Sequence, residues 1–118
     1  MKATISRVIL FVRDVSRVAA FYEKHFGLQP LDRSEKGWLE LAAGGCNLAL
    51  HAATVSSRER GRSPAKIVFA VSDVHAAKRH FAAEGLKFGK VYETAGFAFA
   101  NARDPEGNPI QISSRGLH

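Results

Sequence analysis

A chain of 118 residues, 46% hydrophobic and 24% charged, has the size and composition of one soluble globular domain, which excludes a disordered or fibrous chain. Its net charge of +6 raises nucleic acid as a partner, but the basic residues are scattered, and the densest patch, Arg58-Glu59-Arg60-Gly61-Arg62, carries no interleaved aromatic to stack bases. The lone Cys46 excludes an internal disulfide framework, Arg7 falls where a signal peptide needs its apolar stretch, and the apolar runs, Val8 to Val12 as long as any, are far short of the roughly 20 residues of a membrane helix.

The expectation is therefore a cytoplasmic protein with neither membrane nor nucleic acid as partner. A domain this small buries only about two-thirds of its unfolded surface, so a homodimer is a natural source of further stability.

In chain order, Ile5 to Val12 is rich in β-branched and aromatic residues and reads as a strand. Asp14 offers a helix N-cap, Val15, Val18, Ala19, Phe21, Tyr22 and Phe26 recur at helical spacing, and Gly27 supplies the stop. A short strand at Gln29 to Asp32 is weakened by Pro30, which lacks an amide donor. Trp38 to Leu41 and Asn47 to His51 alternate on either side of Gly44-Gly45 and read as a hairpin. Thr54 to Pro64, rich in Ser, Arg and Gly, reads as a linker.

The pattern then begins again. Lys66 to Val71 reads as a strand, Asp73 as a cap, Val74 to Ala83 as a helix and Gly85 as its stop. Phe88 to Glu93 and Phe97 to Ala100 follow as strands, with a turn at Asp104 to Asn108 and a last strand at Ile110 to Ile112. The turn is too short and too poor in ligands for a calcium loop.

Val12-Arg13-Asp14-Val15 lies over Val71-Ser72-Asp73-Val74, Gly27-Leu28 over Gly85-Leu86, and Gly45 over Gly107, the signature of an internal duplication. The predicted fold is α+β: one domain over 1–118, with a first βαβββ module at about 4–53, a linker at 54–64 and a second module at about 65–114. The modules are expected to form a curved mixed sheet with a central cleft, helices outside.

Four segments resemble the vicinal oxygen chelate superfamily, the glyoxalase, bleomycin-resistance and extradiol-dioxygenase group. They are Val8 to Val15, Phe21-Tyr22 with Phe26-Gly27-Leu28, Phe69 to Val74, and Arg103 to Ile110. The resemblance implies paired βαβββ modules, often completed by dimerisation. In the metal enzymes of that group it implies a divalent cation held by His or Gln on each module's first strand and by Glu on each last strand. Here those positions carry Arg7, Lys66, Ala49 and Gln111. Two cations repel a metal ion and a methyl has no donor atom, which leaves a single amide oxygen, so no metal and no cofactor are expected. A two-residue shift would bring in His51 as a single ligand.

Strand parity turns Arg7, Ile9 and Phe11, and Lys66, Val68 and Ala70, toward the cleft. Arg7 reads either as a fork for a carboxylate or phosphate, or as a strand-end cation that reaches solvent or pairs with Glu40; Lys66 has the same alternatives. His51 is the best titratable group for the cleft, as a base or a ligand partner, with a structural strand-end histidine as the alternative. Glu40 is the other candidate base.

Trp38, Phe97 and Phe99 form an aromatic wall or pack in the core, and Gln111 binds a ligand or a neighbouring strand. The ligand-binding set is thus Arg7, Trp38, Ala49, His51, Lys66, Phe97, Phe99 and Gln111. His25, His75 and His80 belong on outward helix faces, His118 is terminal, and Cys46 has no partner that would make it a nucleophile.

The composite expectation is a metal-free protein that binds a small anionic or neutral aromatic molecule. A metal-dependent lyase or dioxygenase, or a metal-free enzyme using His51 or Glu40 as base, are the alternatives.

Overall fold

A computed structural model describes residues 1–32, 35–54 and 63–117. The basic patch at Arg58 to Arg62 and His118 lie outside the described residues, as does most of the expected linker. The chain forms two compact units, Met1–Ser57 and Arg58–His118.

The first unit runs β1 (Arg7–Val12), α1 (Val15–Phe26), β2 (Gln29–Asp32), β3 (Trp38–Ala42) and β4 (Asn47–Ala52). The second repeats that order with β5 (Ile67–Ala70), α2 (Val74–Ala83), β6 (Tyr92–Thr94), β7 (Phe97–Arg103) and β8 (Pro109–Ser113). Each unit makes one mixed four-stranded sheet, in the order β1-β4-β3-β2 and β5-β8-β7-β6. In both, the first strand runs parallel to the last and the other pairs are antiparallel. The sheet order repeats as faithfully as the element order.

Local chemistry sets the helices. Asp14 and Asp73 stay extended and accept, through Oδ1, the backbone N–H of Arg17 and Ala76 at 3.0 Å each. At the C-terminal ends Gly27 and Gly85 turn left-handed, with φ of 65° and 88°. The next residue then folds back, Leu28 N–H donating to Tyr22 O and Leu86 N–H to Phe81 O. Both helices end where the sequence places them.

Each helix buries one stripe on its own sheet. In the first unit Val18, Ala19 and Tyr22 are buried with Leu39, Leu41, Leu48 and Leu50, alternate residues of β3 and β4. In the second, Val74 and Phe81 are buried with Ala100, Ile110 and Ile112 of β7 and β8. Burial of this kind contributes about 1.5–3 kcal/mol for each large apolar side chain.

Several sequence-based boundaries move, β7 among them, which runs on past Ala100 to Arg103. The first strand begins at Arg7 rather than Ile5, and the fifth is trimmed to Ile67–Ala70. Phe88 to Glu93 does not form the expected strand: β6 starts at Tyr92, and Leu86 and Phe88 are buried, the Phe88 ring 5.5 Å from that of Phe81. The segment fills the space beneath α2 instead of extending the sheet, with Gly89 N–H donating to Asn101 O at 2.8 Å. Pro30 sits in β2, an outer strand, where a missing donor costs least.

Among the described residues no helix is long and apolar enough to cross a membrane.

Candidate functional site

With one face of each sheet given to its helix, strand alternation leaves a second, distal face. In the first unit the register aligns Arg7, Ile9 and Phe11 of β1 with Asn47, Ala49 and His51 of β4, and these with Ala42, Glu40 and Trp38 of β3. In the second, Val68 of β5 pairs with Gln111 of β8, which pairs with Asn101 of β7; Phe99 lies between Ser113 and Tyr92. Ile9 therefore matches Val68, Ala49 matches Gln111, and Glu40 matches Asn101. Arg7 and Lys66 each lie two residues before the first of these pairs.

The first distal face carries two groups. Arg7 Nε donates to both carboxylate oxygens of Glu40, at 3.2 and 3.1 Å, and Asn47 Nδ2 donates to Glu40 Oε2 at 2.7 Å. The Arg7 side chain is 45% exposed and that of Glu40 14%. The Asn47 amide, then the Arg7 guanidinium, hold the Glu40 carboxyl below its ordinary value, against the opposing effect of burial. A carboxylate so stabilised is a weak base, and Arg7 has spent its charge on it.

Beside them the His51 ring lies 5.5 Å from Phe11 and 5.7 Å from Trp38. Ala49, between the two groups, is fully buried and presents only a methyl.

The second distal face repeats the plan with different chemistry. Lys66 Nζ and Gln111 Nε2 each donate to Asn101 Oδ1 at 3.0 Å. Two residues back along β7, Phe99 stacks on Tyr92 at 5.1 Å and on Phe97 at 6.2 Å. Arg115 lies over the Phe97 ring at 4.8 Å and Lys90 over Tyr92 at 5.5 Å, cation–π contacts that place positive charge at both ends of the aromatic row.

Arg7, Trp38, Ala49, His51 and Glu40 are thus gathered on one face, and Lys66, Phe97, Phe99 and Gln111 on the other. Asn47, Asn101 and Tyr92 are the members the sequence reading missed. Continuing the alternation of Phe97 and Phe99 by one step reaches Asn101, a signal that was present.

His75 and His80 are exposed on α2, paired with Glu93 at 2.7 Å and Glu84 at 3.6 Å. His25 packs its ring 5.0 Å from Phe21. Cys46 is a free thiol. The carboxylate of Asp104 accepts from the backbone N–H groups of Glu106 and Asn108 and from Asn108 Nδ2, so this turn spends its acid on its own backbone.

The duplicated strand pattern, the equivalent registers and the two cation-bearing distal faces now stand together with a family match. The Glyoxalase/Bleomycin resistance protein/Dioxygenase superfamily profile matches residues 4–112. The chain belongs to this superfamily.

None of the curated proteins compared with the chain matches it. Among solved structures it is similar to lactoylglutathione lyase from Agrobacterium tumefaciens, with a TM-score of 0.74 and 21% identity over 95% of this chain and 93% of that one. It is also similar to the genomically encoded fosfomycin resistance protein FosX from Listeria monocytogenes, with a TM-score of 0.80 and 15% identity over 99% and 97%. TioX from Micromonospora sp. ML1 gives 0.73 and 21% over 94% and 98%. At these identities the likeness is one of fold.

The metal enzymes of the superfamily set the donor test. The four matching positions, Arg7, Lys66, Ala49 and Gln111, offer a guanidinium, an ammonium, a methyl and one amide oxygen, which do not fit a divalent ion. Among the described residues no three His, Cys, Asp or Glu side chains come together in a metal-binding group.

Proposed function

We propose that this superfamily member is a metal-free binding protein for a small organic molecule, held on the distal faces of its sheets. The observation that carries the reading is that each face pairs a hydrogen-bonded polar cluster, holding a cation and an amide, with an aromatic cluster, the cations Arg7 and Lys66 standing where a metal enzyme would need ligands. Apolar walls with a few fixed polar groups are what a small-molecule site requires. Arg7, Trp38 and His51 serve the first face, with the expected contact Ala49 buried between them, and Lys66, Phe97, Phe99 and Gln111 serve the second.

A metal-dependent lyase or dioxygenase would need ligands that these positions lack. A metal-free enzyme would turn to His51 as its base, since the Glu40 carboxylate, stabilised by Asn47 and Arg7, is a weak one. The lone cysteine suits a reducing, cytoplasmic setting.

The same reading makes the chain a homodimer. β1 and β5 are each the outer strand of their sheet, and Val8 on β1, which alternates away from the distal face, is 46% exposed, an edge that a second copy would cover. Light scattering on the full chain should give twice the chain mass; a monomer at micromolar concentration removes this part.

The central test joins elemental analysis of untagged protein with a thermal-shift screen of small acids, neutral aromatics and amines. The expected result is no stoichiometric metal, a melting temperature indifferent to chelator, and a ligand that raises it. A ligand at 100 times its Kd adds about 2.7 kcal/mol, easily read. Stoichiometric nickel, zinc, iron or manganese, lost in His51→Ala, overturns the reading.

A further inference from the structure

The two distal faces share a plan but differ in charge, and the difference selects a ligand. On the first, the Arg7 cation is met by Glu40, so the pair is neutral. On the second, the position matching Glu40 is Asn101, and among the described residues β5 to β8 present no acid on this face. The acid nearest in sequence, Glu93, alternates to the opposite face and bonds His75. Lys66 is left with a neutral partner.

Donor geometry points the same way. Asn101 Oδ1 accepts from both Lys66 and Gln111. Among the described residues this leaves the two N–H groups of Asn101 Nδ2, the second N–H of Gln111 and the remaining protons of the Lys66 ammonium to face a ligand. A cluster of donors with its one acceptor consumed is complementary to an anion.

The aromatic row begins one β-strand repeat away: Phe99 and Asn101 are two residues apart on β7, roughly 7 Å along the strand. That spacing matches a flat ring with an acidic group attached to it directly or through one carbon. The Arg115 and Lys90 cations at the ends of the row disfavour a cationic ring system.

We propose that the distal face of the second unit binds a planar aromatic carboxylate, its ring against Tyr92, Phe97 and Phe99 and its carboxylate on Lys66, Asn101 and Gln111. The assignment rests on the small-molecule-binding reading above and gives it a chemical class. It also places anion recognition on Lys66 rather than on Arg7, whose guanidinium meets Glu40.

The experiment is calorimetric titration of the full chain with four probes: 2-naphthoate, 2-naphthamide, 2-naphthylmethylammonium and acetate. Naphthoate should bind about tenfold or more tighter than naphthamide, as a charge-assisted contact predicts, with no measurable binding of acetate or the amine. Lys66→Gln and Asn101→Asp should each remove that preference while leaving naphthamide affinity within about twofold. Arg79→Gln, which removes one charge from the exposed side of α2, should leave it intact, and melting temperatures of all variants report folding. Lys66 is exposed and precedes β5, so its variant should fold.

Equal affinity for naphthoate and naphthamide, or a preference that survives both substitutions, overturns the proposal. If the amine or amide binds best, the protein remains a small-molecule binder and only the chemical class is wrong. If no naphthyl compound binds, the class is again refuted, and the broader reading is judged by its own ligand screen and metal analysis.

Discussion

Glu40 on β3 receives Arg7 Nε on both its oxygens and Asn47 Nδ2 at 2.7 Å on one of them, so a single carboxylate ties β1 and β4 together across the distal face. Its folded carboxyl binds a proton less readily than the unfolded one, chiefly because of Asn47 and Arg7. The sign follows from linkage: the contribution is full above the ordinary value of 4.5 and is lost as pH falls through the lower folded value. Glu40→Gln should lower the melting temperature by about 2–4 °C at pH 7, the scale of a partly exposed ion pair in a domain this size. The difference from wild type should shrink below about pH 4.5, where both carry an uncharged side chain. Thermal melts from pH 3 to 8 check this; a gap that stays constant with pH rejects the ionic account.

The cores of the two units make a second prediction. Leu50 and Ile112 occupy corresponding interior positions on β4 and β8 and are fully buried. Leu50→Ala and Ile112→Ala should each cost about 2–5 kcal/mol in urea denaturation, and Ile112→Val about 0.5–1.5, because the vacated volume closes only partly. A cost below 1 kcal/mol for either alanine would mean that the site is not packed as described.

A third concerns the helix stops. Gly27 and Gly85 are left-handed, and a Cβ built on either meets nothing within 4 Å, so substitution carries only backbone strain. Gly27→Ala and Gly85→Ala should therefore cost about 1–2 kcal/mol each, with no further penalty for a larger residue at the same position. Chemical denaturation of the alanine and glutamine variants separates the two effects.

How much of this was legible in the sequence depends on how local the cause is. Both helices appear with their expected bounds because Asp14 with Gly27, and Asp73 with Gly85, encode the ends within a few residues. The repeat order was legible too, since alternation fixes faces without long-range information. Phe88 misled because an apolar residue under a helix looks the same, in one dimension, as one in a strand. Alternation alone places Asn47 and Asn101 on their faces, but not their partners, Glu40 for one and Lys66 with Gln111 for the other, which lie on different strands. The Arg7–Glu40 contact was one of several open readings of Arg7, beside an anion fork and a solvent-facing cation, and register puts the two side chains on one face.

The turn between β7 and β8 supplies the last prediction. Asp104 is buried, and its two oxygens accept four hydrogen bonds: from the backbone of Glu106 and Asn108, and twice from Asn108 Nδ2. Alanine there leaves buried donors without acceptors, each costing about 1–3 kcal/mol, so Asp104→Ala should lower stability by about 2 kcal/mol or more. Asp104→Asn keeps one acceptor oxygen and should lose roughly half as much. Because these oxygens are committed to the turn, added calcium should leave the melting temperature of the wild-type protein unchanged. Urea curves for the two variants, and a melt with and without millimolar calcium, check all three statements. A calcium-dependent rise would show that the acids of this turn face a cation rather than the backbone that now occupies them.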